Sequence, residues 1–316
     1  MNQGTEEKLT FVIATRDRES ELAAVVERLL QTTGCPIIVV DNHSRDGSVA
    51  RMRQLEQTTD RLRVLPLGSN LGAVARNIGV AACRTPYVAL CDDDSWWAAD
   101  AVPRATEIFD TQPNIGLIAA RTVVWPGDRE DPVSSMLAAS PLPRRSGLPG
   151  PPVLGFLSCS AMVRKCAFQA AGGFSPILHF RGEEQLLAMD LAALGWELCY
   201  CAELTAIHRP STVRPPTAAQ DARALRNATL TTWLRRPAKQ CAEATATLLR
   251  AAMNDREYAR AALEALLRVP AVLSGRRLLP AEVEAAVRLL EAPHPDNARG
   301  REGRASNQKP DAANRS

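Results

Sequence analysis

Several common sequence signatures are absent from this 316-residue chain. Its eight cysteines form neither a CxxC pair nor a zinc-ligand spacing, and several of them lie within apolar runs. We therefore expect reduced, buried thiols in a cytoplasmic protein. No apolar run approaches the ~20 residues that a membrane-spanning helix needs, and the polar, acidic start is unlike a signal peptide. Any membrane contact is expected to be peripheral, at the inner face.

The formal net charge of +3 hides a difference between the two ends of the chain. Residues 1–210 contain 20 basic and 24 acidic side chains, whereas residues 211–316 contain 18 basic and 11 acidic ones. A basic region suits an anionic partner such as a membrane surface, a lipid-linked phosphate or a nucleic acid. These charges are dispersed rather than clustered, which favours a solvated helical face. No nucleic-acid partner is predicted.

The first part of the sequence alternates between strand-like and helix-like patterns. Apolar runs of strand length occur at residues 9–14, 36–40, 62–66, 87–91 and 115–124. Helix-length segments separate them, at residues 19–31, 48–57, 72–82 and 101–110. This succession predicts an α/β fold with a mostly parallel central sheet that is flanked by helices on both faces.

The rest of the chain has a different character. Residues 125–153 are rich in Pro, Gly, Ser and Arg and predict a long loop, before a helix at about 183–194 and a strand at 197–200. Beyond residue 210 the pattern is of helices separated by prolines. We predict three parts: an α/β domain at 1–210, a helical C-terminal extension at 211–292 and a disordered tail at 293–316.

Three consecutive carboxylates, Asp92, Asp93 and Asp94, close the strand-like run at 87–91. Open α/β sheets bind their ligands at the carboxyl ends of the strands, so the triplet lies where a ligand is expected. Crowded acids repel one another, and a divalent cation with hard oxygen ligands would relieve that repulsion. The alternative is that the acids cap a helix that begins at Trp96 and Trp97.

Other strands also end in residues with ligand-binding character. Asp41 directly follows a buried strand, where an acid can accept hydrogen bonds from a base or ribose. Gly72 opens a helix whose N-terminus favours anions, and Arg76 and Asn77 lie one turn further on. The glycine spacing matches neither the GxGxxG dinucleotide fingerprint nor a P-loop.

Taken together and in order, these segments resemble family 2 glycosyltransferases of the GT-A type, including rhamnosyltransferase-like bacterial members. The segments that carry the resemblance are residues 12–18, 39–48, 70–79, 90–94, 160–164, 172–174, 182–184 and 194–196. They cover roughly residues 9–210. The resemblance implies a GT-A fold, the fold of transferases that use nucleotide-diphospho-sugars, with the C-terminal helices as an extension.

The resemblance also implies roles for individual residues. The donor-binding residues would be Thr15, Arg16, Asp41, Asn70, Arg76, Asp92 and Asp93. The acid triplet is similar to the DxD motif of the family, which makes Asp94 a ligand of Mg²⁺ or Mn²⁺ at the diphosphate. A histidine near His208 joins the metal or diphosphate in several relatives, although a lone buried histidine is equally compatible with the pattern.

Two further pairs of residues are candidates. The second acid of the family's Glu-Asp pair is the general base, and here that position is Glu184, preceded by Glu183. Without the resemblance, both would be acids that a helix dipole favours in the first turn. Trp96 and Trp97 suit stacking on an acceptor sugar, yet tryptophan is more often part of a core.

The implied activity is metal-dependent, inverting transfer of a hexosyl or deoxyhexosyl group from a UDP-, dTDP- or GDP-sugar. The acceptor would be a hydroxyl group on a lipid-linked or small molecule, as in cell-envelope or secondary-metabolite glycosylation. A nucleotidyltransferase is disfavoured, because residues 15–18 are not a Gly- and Lys-rich loop. The alternative of a non-catalytic nucleotide-sugar-binding protein stays open, since Glu184 replaces the usual aspartate. Residues 225–227, Leu-Arg-Asn, together with residues 233–237, Trp-Leu-Arg-Arg-Pro, resemble helical tails of some family members, which implies a place for a polyisoprenoid or membrane acceptor.

Overall fold

One nine-stranded sheet organises the computed structural model, which describes residues 8–127, 129–210 and 217–292. The elements up to the fourth strand are β1 (Leu9–Thr15), α1 (Glu19–Thr32), β2 (Ile37–Asp41), α2 (Ser48–Glu56), β3 (Leu62–Pro66), α3 (Val74–Ala82) and β4 (Tyr87–Asp92). Those that follow, up to the last strand, are β5 (Ser95–Trp97), α4 (Ala101–Thr111), β6 (Ile115–Val124), β7 (Arg129–Glu130), α5 (Pro132–Ala138), β8 (Ala161–Arg164), α6 (Lys165–Ala170), α7 (Glu183–Ala193) and β9 (Glu197–His208).

The strand order is β3-β2-β1-β4-β8-β6-β9-β5, and β7 pairs with β6. The strands β3, β2, β1 and β4 are parallel, as are β6 and β9. The strand β8 is antiparallel to both of its neighbours, and β5 is antiparallel to β9. The predicted α/β fold with a mostly parallel sheet is confirmed.

Continuous apolar sequence in the central strands reflects burial on both faces of the sheet. Phe11 and Val39 pack into one hydrophobic core, whereas Val12 and Val40 pack into a second core on the other face. Because successive side chains point to opposite faces, one strand supplies both cores. The carboxyl ends of β1, β2 and β4 are thereby fixed side by side.

Two local predictions and one alternative interpretation were wrong. The predicted loop at 125–153 contains β7 and the helix α5, which starts where Asp131 accepts the amide of Val133 at 2.8 Å and Pro132 occupies the first turn. The strand predicted at 197–200 continues to residue 208 as β9, with a register shift between Ala120 and Arg121 of β6. Residues 95–97 form a strand, so the acid triplet does not cap a helix there.

Within residues 217–292, the described part of the C-terminal region, there are five helices: α8 (Ala218–Arg235), α9 (Ala238–Asn254), α10 (Arg256–Leu267), α11 (Val269–Gly275) and α12 (Ala281–Glu291). The first four of them, α8 to α11, share a third apolar core with Leu178 and Leu186 of the preceding α/β region. Arg235 of α8 also forms an ion pair with Asp190 of α7, with one nitrogen–oxygen distance of 2.9 Å. The predicted C-terminal helices are present, and the domain boundary at 210 stays a prediction.

The predicted disordered tail, 293–316, lies outside the described residues. Within the described ranges, no helix combines the length and the apolar character that a membrane crossing requires. The cytoplasmic location and the peripheral membrane contact stay predictions.

Candidate active site

A cavity of about 540 Å³ opens at the carboxyl ends of the parallel strands. Eight of the predicted site residues line it: Thr15, Arg16, Asn70, Arg76, Asp92, Asp93, Asp94 and His208. Five others, Asp41, Glu183, Glu184, Trp96 and Trp97, are not part of its lining. These eight residues reach one cleft from the strands β1, β4 and β9, from the loops after β1, before α3 and after β4, and from the helix α3.

An arginine that sequence reasoning did not single out holds two of the acids. Arg18 forms an ion pair with Asp93, with 2.8 Å between Nε and a carboxylate oxygen, and donates a hydrogen bond from an Nη to Asp94 at 2.8 Å. Charge-assisted pairs of this kind are strong and orient both carboxylates. The polar run that follows β1 was the available signal, but nothing in it distinguished Arg18 from its neighbours.

Asp93 is the most deeply enclosed acid of the triplet. The hydroxyl of Thr15 donates to it at 2.8 Å. Burial raises the pKa of the Asp93 carboxyl to about 7, and the adjacent acids add to the rise while Arg18 opposes it. A cation at this place would stabilise the ionised form of this carboxyl and so oppose the rise of its pKa.

Asp92 pairs with a different arginine. Arg76, on α3, donates to one carboxylate oxygen of Asp92 and lies 5.9 Å from the ring centroid of Phe174. Its guanidinium also interacts electrostatically with Glu183 and Glu184. Arg76 is thus the charged link between the acid triplet and the acidic pair on α7.

Asp94 faces His208, with 3.4 Å between a carboxylate oxygen and Nε2. Burial lowers the pKa of His208, but the Asp94 carboxylate more than offsets this, so the pKa is raised overall. No group of three or more Asp, Glu, His or Cys side chains within the described ranges forms a complete metal cage. One carboxylate and one imidazole nevertheless fit Mg²⁺ or Mn²⁺, which commonly takes its other ligands from phosphate and water.

The end of β2 supports the cleft through hydrogen bonds. Asp41 is buried, and one of its oxygens accepts the amide of Ser44 at 2.9 Å. Its other oxygen is buried and has no hydrogen-bond partner within the described part of the chain. Asn42 accepts the amide of Leu71 at 2.7 Å and donates to the carbonyl of Gly72 at 2.9 Å, which ties β2 to the loop before α3.

The loop before α3 lies in close contact with the backbone of His179. Gly72 has a φ of +61°, and a Cβ at this position would overlap the carbonyl oxygen of His179. Asn70, a lining residue, accepts the amide of Gly72 at 2.9 Å. Glycine is therefore required here both by its backbone conformation and by the neighbouring chain.

The acidic pair opens α7, as predicted. Glu183 is 2% exposed, and one of its oxygens is buried with no partner among residues that the structure describes. Glu184 is half-buried and accepts the hydroxyl of Ser158 at 3.0 Å. Ser158, which lies just before β8, is a second contact that the sequence did not reveal.

Both acids hold their protons more tightly than usual. Burial raises the pKa of Glu183 to about 8, and the neighbouring Glu184 adds to the rise. Burial also raises the pKa of Glu184, while Arg76 and the Ser158 hydroxyl oppose the rise. Two such carboxyls titrate as a pair, and the more accessible one, Glu184, is the better placed to exchange a proton with a ligand.

The two tryptophans lie away from the cleft, on β5. Trp97 is 1% exposed and its indole donates to the carbonyl of Leu90 at 3.3 Å, so no face of the ring can stack on an acceptor. Trp96 packs against the same core, and the guanidinium of Arg28 covers its ring at 4.4 Å. Trp97 is therefore part of the hydrophobic core, which is the alternative to acceptor stacking.

Residues 10–172, just over half of the chain, match the family described as Glycosyl transferase family 2. The chain belongs to this family. It is 30% identical over 205 residues to the pre-mycofactocin glycosyltransferase of Mycobacterium tuberculosis, covering 61% of this chain and 40% of that protein. It is 36% identical over 74 residues to a putative teichuronic acid biosynthesis glycosyltransferase, TuaG, of Bacillus subtilis, covering 23% and 29%. The chain spans less than half the length of these curated relatives.

Solved structures confirm the fold. The mannosyltransferase PcManGT from Pyrobaculum calidifontis, in complex with GDP-Man and Mn²⁺, superposes with a TM-score of 0.57 at 15% identity, over 90% of this chain and 86% of that one. S. aureus TarS 1–349, in complex with UDP-GlcNAc, gives a TM-score of 0.57 at 15% identity, over 88% and 83%. These likenesses establish the GT-A architecture.

Proposed function

We propose that this chain transfers a sugar from a nucleotide-sugar donor to an acceptor hydroxyl, with inversion at the anomeric carbon. One observation carries the proposal: the acid triplet at the end of β4 opens into the same cavity as Thr15, Asn70 and Arg76. Structural neighbours in complex with GDP-Man and with UDP-GlcNAc support a nucleotide-diphospho-sugar as the donor class.

In the proposed reaction, the acceptor oxygen forms a bond to the anomeric carbon as the bond to the diphosphate oxygen breaks. Glu184 takes the hydroxyl proton, and the electron pair of the broken bond leaves on the nucleoside diphosphate. Ser158 orients Glu184 by donating to one of its oxygens. Transfer of a hexosyl or deoxyhexosyl group remains the proposed type.

A divalent cation would assist the departure of the diphosphate. Asp94 and His208 would hold Mg²⁺ or Mn²⁺, whose charge stabilises the negative charge of the leaving group. Arg18 and Arg76 orient the acids around that position. The PcManGT complex contains Mn²⁺, which supports the choice of metal.

A panel of UDP-, dTDP- and GDP-sugars tests the proposal, with and without Mn²⁺. We expect one donor class to raise the melting temperature in the presence of Mn²⁺ and to release free nucleoside diphosphate. If no donor binds or turns over, the proposed function is wrong.

Asp94→Asn tests the metal site. We expect it to abolish turnover and to remove the Mn²⁺-dependent part of nucleotide affinity. Asp60→Asn is the matched control, because Asp60 is an exposed aspartate away from the cavity. Full Mn²⁺-dependent binding in Asp94→Asn would exclude the metal assignment.

Glu184→Gln separates an enzyme from a non-catalytic binding protein. Turnover should fall by about 10³-fold or more, within the range that a general base contributes, while donor affinity is kept. Glu282→Gln is a suitable control, since Glu282 is an exposed acid in the first turn of α12. Unchanged turnover in Glu184→Gln would show that another group takes the proton, and a loss of donor affinity would also contradict the assignment.

A further inference from the structure

The loop at residues 178–182 has an unusual backbone. His179, Arg181 and Gly182 have φ values of 67°, 77° and 78°, which lie in the left-handed region. Residues other than glycine pay an energetic cost in that region, so the conformation persists only where the surroundings enforce it. Two of these three residues are not glycine, and their neighbours must therefore hold the loop.

Side chains of α8 hold the loop, chiefly that of Asn227, and Arg226 of the same helix also donates to the carbonyl of Leu178 at 3.3 Å. Asn227 is 0% exposed, and its amide nitrogen lies 3.0 Å from the carbonyl oxygen of Leu178, 2.8 Å from that of Phe180 and 2.6 Å from that of Arg181. The side-chain oxygen of Asn227 accepts from Nε of Arg226 at 3.0 Å. The amide nitrogen of Asn227 is thus directed at loop carbonyls, and its oxygen is held by Arg226.

The loop in turn contacts both halves of the candidate site. Its residues His179 and Phe180 line the cavity, and the carbonyl of His179 accepts the amide of Ala73 at 2.7 Å, just before α3. At its other end, Gly182 directly precedes Glu183 and the rest of α7. A displacement of the loop would therefore move the first turn that carries the acidic pair.

We propose that Asn227 is a positioning residue for sugar transfer. It locks the 178–182 loop and so fixes Glu184 relative to the cavity. The proposal rests on the function proposed above, since Glu184 is the base of that reaction. It assigns a role to the Leu-Arg-Asn segment of the C-terminal region, which the nucleotide site itself does not use.

The test compares Asn227→Ala with Leu248→Ala in the full chain. Leu248 lies in the apolar core of the C-terminal helices, and its truncation weakens that core without removing a hydrogen bond to the loop. Asn227→Asp is the second variant, because it keeps the size and the acceptor for Arg226 but loses the amide donor. Asn227→Asp replaces Asn227→Ala in the comparison if the alanine variant does not fold.

Hydrogen exchange reports on the loop without any substrate. The amide of Phe180 donates to the carbonyl of Leu178, and the amide of Ala73 to that of His179, so both report on the loop. In the Asn227 variant we expect both to exchange about 10- to 100-fold faster than in Leu248→Ala, since both amide donors to the loop carbonyls are lost. Unchanged protection would overturn the proposal, even if no donor sugar has been found.

Kinetics then distinguish positioning from simple support of the fold. Because His179 and Phe180 also line the cavity, the decisive quantity is turnover at saturating donor, which a weaker donor affinity does not lower and which should fall by at least about tenfold. Normal turnover together with fast exchange would show that the loop is held by Asn227 but does not position the base. If the wild-type chain turns over no donor, the proposed function is wrong. The hydrogen-exchange measurement then tests by itself whether Asn227 holds the 178–182 loop.

Discussion

Replacing Arg76 with methionine would test how the charges of the cleft are balanced. The side chain of Arg76 is 7% exposed and pairs with Asp92, which is 33% exposed. Burial opposes the charge of Arg76, but Asp92 and the acidic pair on α7 more than offset this and raise the pKa of the guanidinium. Methionine keeps most of the apolar stem and removes only the charged head.

The expected cost follows from the burial of the pair. Removing one partner of a buried ion pair destabilises a protein by about 3–5 kcal/mol. Because Asp92 is partly exposed, water can solvate its charge, and we expect about 2–4 kcal/mol here. For a chain of this size, about 2 °C of melting temperature corresponds to each kcal/mol, so a decrease of roughly 4–8 °C is expected. Thermal unfolding measures it directly.

A double-mutant cycle isolates the pair from other effects. Arg76→Met, Asp92→Asn and the double variant should be non-additive by about 1 kcal/mol or more, within the range for contacting residues. Additive effects of the two changes, together with a melting temperature near that of the wild type, would refute the ion pair.

The same variant should alter the pH dependence of turnover. The charge of Arg76 opposes the burial that raises the pKa of Glu184, so its loss should raise that pKa further. The base works only when deprotonated, and the acid limb of the pH–rate profile should therefore move to higher pH. Arg76→Lys keeps the charge and should keep the limb close to its wild-type position. An unshifted limb in Arg76→Met would contradict the electrostatic link.

Three further predictions concern single contacts. Ser158→Ala removes a hydrogen bond that stabilises the Glu184 anion, so the acid limb of the pH–rate profile should move to higher pH. Ser158→Thr keeps the hydroxyl and should leave that limb in its wild-type position. Arg223 lines the cavity and has no ion pair within the described ranges, so Arg223→Ala should weaken nucleoside diphosphate binding by about tenfold in calorimetry. The control Arg250→Ala, on α9, should leave the affinity unchanged. If the two variants bind nucleoside diphosphate equally well, Arg223 does not contact it. His208→Ala should raise the Mn²⁺ concentration needed for half-maximal activity by about tenfold or more, and an unchanged requirement would remove His208 from the metal site.

The order of elements up to β4, and the helix α4 and strand β6 beyond it, could be read from the sequence because each segment carries its own periodicity. Buried parallel strands are apolar throughout, as at residues 37–40, and intervening amphipathic helices repeat at a different interval. The prediction failed at α5, where prolines and glycines on either side concealed a seven-residue helix with an Asp-Pro start. It also failed at Trp96 and Trp97, whose strand is defined only by pairing with β9.

The residues of the candidate site also fall into two groups, those that the sequence displays as motifs and those that it does not. The acid triplet and the pair at Glu183 and Glu184 are contiguous in the chain, so the sequence displays them as motifs. Arg18, Ser158 and Asn227 are single residues, and each meets its partner across 26 or more positions. No local pattern marks such residues, because their roles exist only once the chain has folded around the cleft.

The amino-acid sequence by itself determined the α/β alternation, the acidic strand end and the resemblance to a glycosyltransferase family, since all three are encoded in neighbouring residues. Only the tertiary structure decided which arginine neutralises which acid, which tryptophan is buried, and how a C-terminal helix holds the loop beside the base. Those outcomes depend on distances between remote segments, which the packing of the sheet and its helices sets.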